Sequence, residues 1–482
     1  GPRLNPDLHQ KVCKAMIAWI ARQTVRLPEN EQPSDEEQAD VVRAESVLTD
    51  GYIPSAPSLI VAEMARNPAD IYVFKLVDLL SKMKNQVALL PVKDQTSMVN
   101  SIMGMVNHWA KPDAKEDAKK AIDTAGKILL AQRFPEVPVL LAGRLNAVGQ
   151  GPLADWLVEM LKSMSAQFDP PAMKVLAAHT RSHAAHHSHT AGLLMDGLEK
   201  LAARPGTTPG SGSKRVAALQ TLSVRLEPGL RIEVVEALTQ HVYKQSEPRT
   251  PPLTDTEKHE SNRAESFLVD SRLPEATGYL VDRLLGAPNG PVSERMESIL
   301  IKMKDRLDDE DYKKLFTHLA QNGANRISAA LVVTYALEDL SCEYVPHRGP
   351  TYRGAPDLKN LPARLDGKLQ ADLINGLVAF LKKQFEARKK DSPALEGKEK
   401  EAIERVERTL VQSDPANVAK KLVTELIQNP PVQVAEEWAG LLKQIPRRID
   451  EKDFAALHKF AATDGHNKAI ATDLVLSILN TR

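Results

Sequence analysis

At 482 residues the chain is too long for one ordinary globular core. Hydrophobic residues make up 42% but aromatic ones only 4%, so leucine, alanine, valine and methionine must fill the interior, which argues against a large sheet. Lysine plus arginine and aspartate plus glutamate number 63 each, so the basic surplus that neutralises phosphates is missing and nucleic acid is not the expected partner.

The two cysteines, Cys13 and Cys342, are too far apart in sequence to suggest a disulfide framework or a thiolate metal site. No apolar run reaches the roughly 18 residues that cross a bilayer, so no transmembrane segment is expected. No signal peptide is evident. The opening Gly1-Pro2 has the form of a protease-cleavage scar, which leaves room for a targeting segment upstream.

In chain order, RLNPDL at 3–8 opens an amphipathic stretch that ends in the polar loop 26–38. Residues 43–84 then carry apolar positions at helical spacing. Val73, Leu76, Leu79, Leu80 and Met83 share one helical face, and prolines such as Pro54 and Pro68 sit at segment edges, where the missing N–H does no harm. Residues 90–109 repeat the opening helix, and a second block starts at Thr124. QFDPPAMKVLAAH (167–179) follows, then HTRSHAAHHSH with five histidines and the Gly/Ser/Pro-rich stretch 204–214.

RLEPGL (225–230) reopens the pattern, and a second long loop occupies 246–258. Residues 263–304 then match 43–84 without a gap, with RAES starting both and 14 of 42 positions identical. RLDDEDYKKLFTHLA (306–320) echoes 167–179. After an insertion at 343–357, the pattern runs once more through RLDGKL (364–369), the loop 386–400, a block from Arg405 and RIDEKDFAALHKFAA (448–462). Asp169, Asp308 and Asp450 precede equivalent helices and are expected to be N-caps. Carboxylates that recur between blocks, such as Glu45 and Glu265, are expected to be structural, since a catalytic residue is needed only once. Charge runs such as 396–408 read as solvated helix faces.

These observations predict an all-α fold, an irregular HEAT/ARM-like α-solenoid of about 20 helices built from four divergent copies of a multi-helix unit. Residues 1–482 are expected to form a single continuous array with units at about 3–89, 90–218, 219–357 and 358–482. The expected function is that of a non-enzymatic protein-binding scaffold or adaptor, with no cofactor and with another protein as partner. The insertion at 343–357 is the candidate contact loop, because Tyr344, His347, Arg348, Tyr352 and Arg353 belong to residue types that anchor interfaces. The sequence leaves the oligomeric state open.

Two alternatives come from other classes. A metal-binding or enzymatic protein would centre on His179–His189. His179, His183 and His187 are spaced by four and could share a helical face, although no acidic or cysteine ligand lies among them and the segment reads as an exposed helix–helix turn. A helical-repeat nucleic-acid binder is the third reading. No phosphate-binding loop, HExxH or GxSxG motif is present.

In repeat style and composition the chain resembles the helical-repeat type III effectors that plant-pathogenic bacteria inject into host cells, of the XopP and XopN types. That resemblance implies a role in virulence and a host immune or membrane-trafficking protein as partner. It also implies secretion and delivery into the host cell cytoplasm, whereas the sequence alone suggests a cytoplasmic protein.

Overall fold

The computed structural model describes residues 5–25, 34–51, 53–111, 113–132, 134–182, 186–203, 213–321, 323–344, 353–388, 395–413, 417–463 and 465–481. The chain begins with α1 (Pro6–Val25), α2 (Asp35–Asp50), α3 (Ala56–Arg66), α4 (Val73–Lys82) and the short turn α5 (Lys84–Val87). Next come α6 (Val92–Trp109), α7 (Glu116–Gln132), α8 (Glu136–Ala147), α9 (Pro152–Ser163), α10 (Pro170–Ser182) and α11 (His187–Ala202). The short helices α12 (Ser213–Gln220) and α13 (Leu222–Arg225) lead to α14 (Pro228–Gln245), α15 (Asp255–Ser271), α16 (Ala276–Gly286), α17 (Pro291–Lys302), α18 (Asp309–Ala320) and α19 (Arg326–Ser341). Last are α20 (Leu361–Arg364), α21 (Gly367–Glu386), α22 (Gly397–Gln412), α23 (Val418–Ile427), α24 (Val432–Gln444), α25 (Glu451–Ala462) and α26 (Lys468–Thr481).

Among the described residues the fold is all-helical with one small exception. β1 (Cys342–Tyr344) and β2 (Arg353–Pro356) pair antiparallel, Cys342 opposite Pro356 and Tyr344 opposite Arg353. This hairpin frames the insertion that the sequence marks at 343–357.

The helices gather into two compact units, Gly1–His241 with Asp255–Ser271, and Val242–Thr254 with Arg272–Arg482. Within each, a helix packs on partners a few places along the chain. In the first unit α1 lies against α3, α3 against α6, α4 against α7 and α10 against α11. In the second α16 lies against α18, α17 against α19, α19 against α22 and α24 against α26. Stacking of successive neighbours is the packing of a HEAT/ARM-like helical repeat.

The four sequence copies bury the same face. Ala56, Pro57, Ile60, Val61 and Met64 of α3 are buried. So are Val137, Pro138, Leu141, Ala142 and Leu145 of α8, Ala276, Thr277, Leu280, Val281 and Leu284 of α16, and Val418, Ala419, Leu422, Val423 and Leu426 of α23. Each set is the previous one moved along by the copy spacing. The next helix behaves alike: Leu76 and Leu80 of α4 correspond to Leu157 and Leu161 of α9, Met296 and Leu300 of α17, and Trp438 and Leu442 of α24, all buried. Burying one such valine, leucine, isoleucine or methionine contributes about 1.5–3 kcal/mol, so the three or four per helix outweigh modest helix propensities.

Helix starts follow local chemistry. Asp308 accepts a hydrogen bond from the Asp311 backbone N–H at 2.9 Å, Asp450 from that of Asp453 at 2.6 Å and Asp169 from that of Ala172 at 2.9 Å, so all three are the expected caps. A 3-10 turn precedes each of them: Ser165–Gln167, Lys304–Arg306 and Pro446–Arg448. In the second unit α21 crosses α18 closely at Gly376, where a Cβ would stand 2.8 Å from the carbonyl oxygen of Phe316.

Candidate protein-docking surfaces

Between the second and fourth helices of a copy lies a polar place that differs among the first, second and fourth copies. In the first copy Glu45 of α2 is buried and pairs with both lysines of α4 that face it. Lys75 Nζ stands 2.5 Å from its Oε1 and Lys82 Nζ 3.3 Å from its Oε2. A hydrogen bond from Lys82 to Asp78 (2.8 Å) raises the lysine pKa above its usual range, helped by the charges of Asp78 and Glu45.

At the same place in the fourth copy, α22 supplies Glu407 and α24 supplies Glu437, with no lysine on either position. Burial pushes the Glu407 carboxyl up to about 8, and the hydrogen bond and charge of Glu437, then the charge of Glu404, push the same way. Two carboxyls in one half-buried place share a proton more readily than they both ionise.

In the second copy the three positions hold Gly126, Trp156 and Ser163. Among the described residues no pair of opposite charges bridges the helices there, and an open cavity of about 610 Å³ takes its place. Lys119, Ile122, Asp123, Gly126, Lys127 and Leu130 wall it from α7. Pro152, Trp156, Glu159, Met160 and Ser163 wall it from α9, and Ala110, Lys111 and Ala114 also line it. Glycine inside a helix costs about 1 kcal/mol relative to alanine. Here a Cβ on residue 126 would lie 3.1 Å from Met160 Sδ and 3.8 Å from Trp156 Nε1, so the missing methyl keeps the floor low. Met160 is buried beneath the groove, while Ile122, Leu130 and Trp156 are half-exposed within it. On the rim Asp123 is taken by Lys127 at 2.5 Å and Glu159 by Lys162 at 3.2 Å. Lys111 and Lys119 make no ion pair among the described residues. Sequence reading missed this groove; its signal was a glycine and a tryptophan at aligned positions where the first copy holds a glutamate and a lysine.

Of the contact residues expected in the insertion, Tyr344 and Arg353 lie opposite each other in the backbone register of the hairpin. His347, Arg348 and Tyr352 lie outside the described residues.

Two histidines of the histidine-rich segment, His179 and His186, are buried rather than exposed as its composition suggests. Helix α10 continues to Ser182, and His179 lands on its inner face beside Leu176 and Thr180. It is 1% exposed, with Nδ1 against the Asn146 side chain, and burial followed by the charges of His186 and His187 brings its pKa down to about 4. His186 is also buried and donates from Nε2 to the Gly149 carbonyl at 3.2 Å. His187 sets its ring 5.6 Å from that of His241, His189 is exposed, and His183 lies outside the described residues. Among the described residues no group of three or more histidine, cysteine or acidic side chains converges to hold a metal.

The charge run at 396–408 also departs from a purely solvated face. Arg405 lies 3.4 Å above the Tyr335 ring and 2.7 Å from Glu338, while Lys398 reaches Glu297 at 3.2 Å. These contacts tie α22 to α19 and α17, so part of the run is packing.

No protein-family model matches the chain, and no curated protein matches it. Solved structures with similar helical arrays include a crystal structure of importin beta, 11% identical, covering 97% of this chain and 71% of that one with a TM-score of 0.30. A structure concerning the interaction between cadherin and beta-catenin is 14% identical, covers 96% and 98%, and scores 0.27. The SYS-1/POP-1 complex is 13% identical, covers 99% and 93%, and scores 0.24. Helical arrays of very different curvature resemble one another to this degree, so the likeness assigns neither shape nor partner. Among the described residues no helix is long and apolar enough to cross a membrane.

Proposed function

We propose that the chain is a non-enzymatic protein-binding scaffold, and that it serves as a virulence effector delivered into a host cell, where it engages an immune or membrane-trafficking protein. The observation that carries the scaffold reading is the open α7–α9 groove, with half-exposed Trp156 and apolar neighbours set on rigid helices. The effector reading rests on repeat style and composition. The insertion at 343–357, with Tyr344 and Arg353 in its hairpin, is proposed as a second contact surface. The sequence units at 3–89, 90–218, 219–357 and 358–482 are proposed to descend from one ancestor, which the shared buried face supports.

Crosslinking of the full chain in plant-cell extract, with the crosslinked lysines mapped, tests the scaffold reading. A partner whose crosslinks cluster at the groove lysines or beside the insertion is expected, and its yield should fall when 343–357 is deleted or Trp156 is replaced by alanine. Crosslinks confined to the chain itself would sink the reading. For the effector role, a reporter fusion should enter plant cells from a bacterium with a working type III system and not from a secretion-deficient strain.

A further inference from the structure

We propose that the α7–α9 groove receives a short acidic amphipathic segment of a partner protein, with an apolar side chain seated against Trp156 and Met160 and carboxylates beside Lys111 and Lys119. This rests on the protein-binding reading and names the chemistry of its ligand.

Three observations select that occupant. The first is that the opening stands where the first copy holds an ion-paired set. Glu45, Lys75 and Lys82 bridge the equivalent helices in the first copy, and their counterparts Gly126, Trp156 and Ser163 all line the cavity. The bridge has been replaced by space and an aromatic wall, which suits an inserted apolar group.

The second is size. The lining residues of α7 run from 119 to 130 and those of α9 from 152 to 163. At 1.5 Å per residue the groove is about 16 Å long, enough for roughly eleven residues of helix or five of extended chain. That matches a linear segment and is too small for a folded domain.

The third is charge. The two rim carboxylates already have lysine partners, while Lys111 and Lys119 do not among the described residues. The groove therefore presents two uncompensated ammonium groups around an apolar floor. An acidic segment would gain charge pairing at the rim, and a basic one would be repelled. Specificity would come from both features together, since the apolar floor alone would accept many sequences.

Peptides of about twelve residues displayed as a random library and selected on the full chain provide the test. Three variants serve as comparisons: Trp156→Ala, Lys111→Glu with Lys119→Glu, and Gly126→Glu with Trp156→Lys, which installs the ion pair of the first copy. Circular dichroism melts check that each is folded. Selected peptides should be enriched in aspartate and glutamate around one or two large apolar residues. The affinity of the best should fall at least about tenfold in the charge-reversed protein and further in the two variants that lose Trp156. Replacing the peptide acids by lysine should restore binding to the charge-reversed protein alone.

Peptides that bind all variants within about twofold would overturn the groove assignment and leave protein binding elsewhere intact. Enrichment of no peptide at all would overturn both. A single-stranded oligonucleotide that binds with the same sensitivity to Lys111→Glu would overturn the peptide assignment, as would a dimer in sedimentation that Trp156→Ala dissolves.

Discussion

The first and fourth copies bury matching residues on two successive helices and then differ at the one polar place beside them. Glu45 meets two lysines in the first, whereas Glu407 meets another glutamate in the fourth. The core face decides how the helices stack, and any side chain that breaks it costs several kcal/mol. The polar place runs from buried Glu45 out to half-exposed Lys82, and across the copies it holds a salt bridge, a shared proton or, in the second copy, an empty groove. The first, second and fourth copies therefore share a fold through their apolar positions while differing at this polar place.

The largest effect should come from the shared face. Trp438 of α24 occupies the place of Leu76 in α4 and is fully buried. Trp438→Ala should cost about 3–5 kcal/mol in chemical denaturation and Leu76→Ala about 2–5. A loss below about 1 kcal/mol at either site would show that equivalent burial is not equivalent stabilisation.

Next in size is the glutamate pair. Glu407 has its pKa raised in the folded chain from near 4.5 to about 8. Its contribution is therefore fully present below pH 4.5 and lost as pH rises through 8. Allowing for partial solvent screening, that loss is about 1–2 kcal/mol. Glu437→Lys recreates the arrangement of the first copy and should abolish the decline, so that the melting temperatures of variant and parent diverge steadily from pH 5 to 8. Parallel curves would refute the shared proton.

The histidines sharpen the contrast between the second and third copies. His179 of α10 and His318 of α18 are aligned, yet His179 is buried while His318 is only half-buried and donates from Nε2 to the Ala324 carbonyl at 2.6 Å. The pKa of His179 is lowered from 6.5 to about 4, so its neutral form supports the fold above pH 6.5 and that support fades as pH falls towards 4. His179→Gln should remove about 1–2 kcal/mol of this acid sensitivity, measured against the parent at pH 4.5. An unchanged acid limb would mean that His179 is not the titrating group. The smallest effect should be that of Lys82→Ser, which copies Ser163. The lysine is 46% exposed and Lys75 still pairs with Glu45, so urea midpoints should imply a change within about 0.5 kcal/mol.

Much of the fold was legible because periodic burial leaves a periodic sequence. The gapless match of 43–84 with 263–304 located helices that begin at Ala56 and Ala276, and the three aspartate caps followed from local chemistry. The short hairpin was not legible, since strands of three and four residues carry no alternation that can be read. His179 was misjudged because a polar residue near a helix end looks the same whether the helix stops before it or, as here, continues past it. The groove depends on residues some thirty positions apart on two helices. Each looks ordinary alone, and only their replacement of an ion-paired set gives them meaning.

The 3-10 turns and aspartate caps ahead of α10, α18 and α25 have a consequence for how such a chain can change its length. One residue added inside a helix rotates everything after it by about 100°, which would turn an apolar stripe towards water. A capped joint fixes the residue at which the next helix starts, so a slip in register upstream does not shift that helix's own stripe. These joints act as indexing stops. Between them the chain can accept insertions at 204–214 and 343–357, and divergence in its polar positions, while each new helix still presents its stripe to its neighbours.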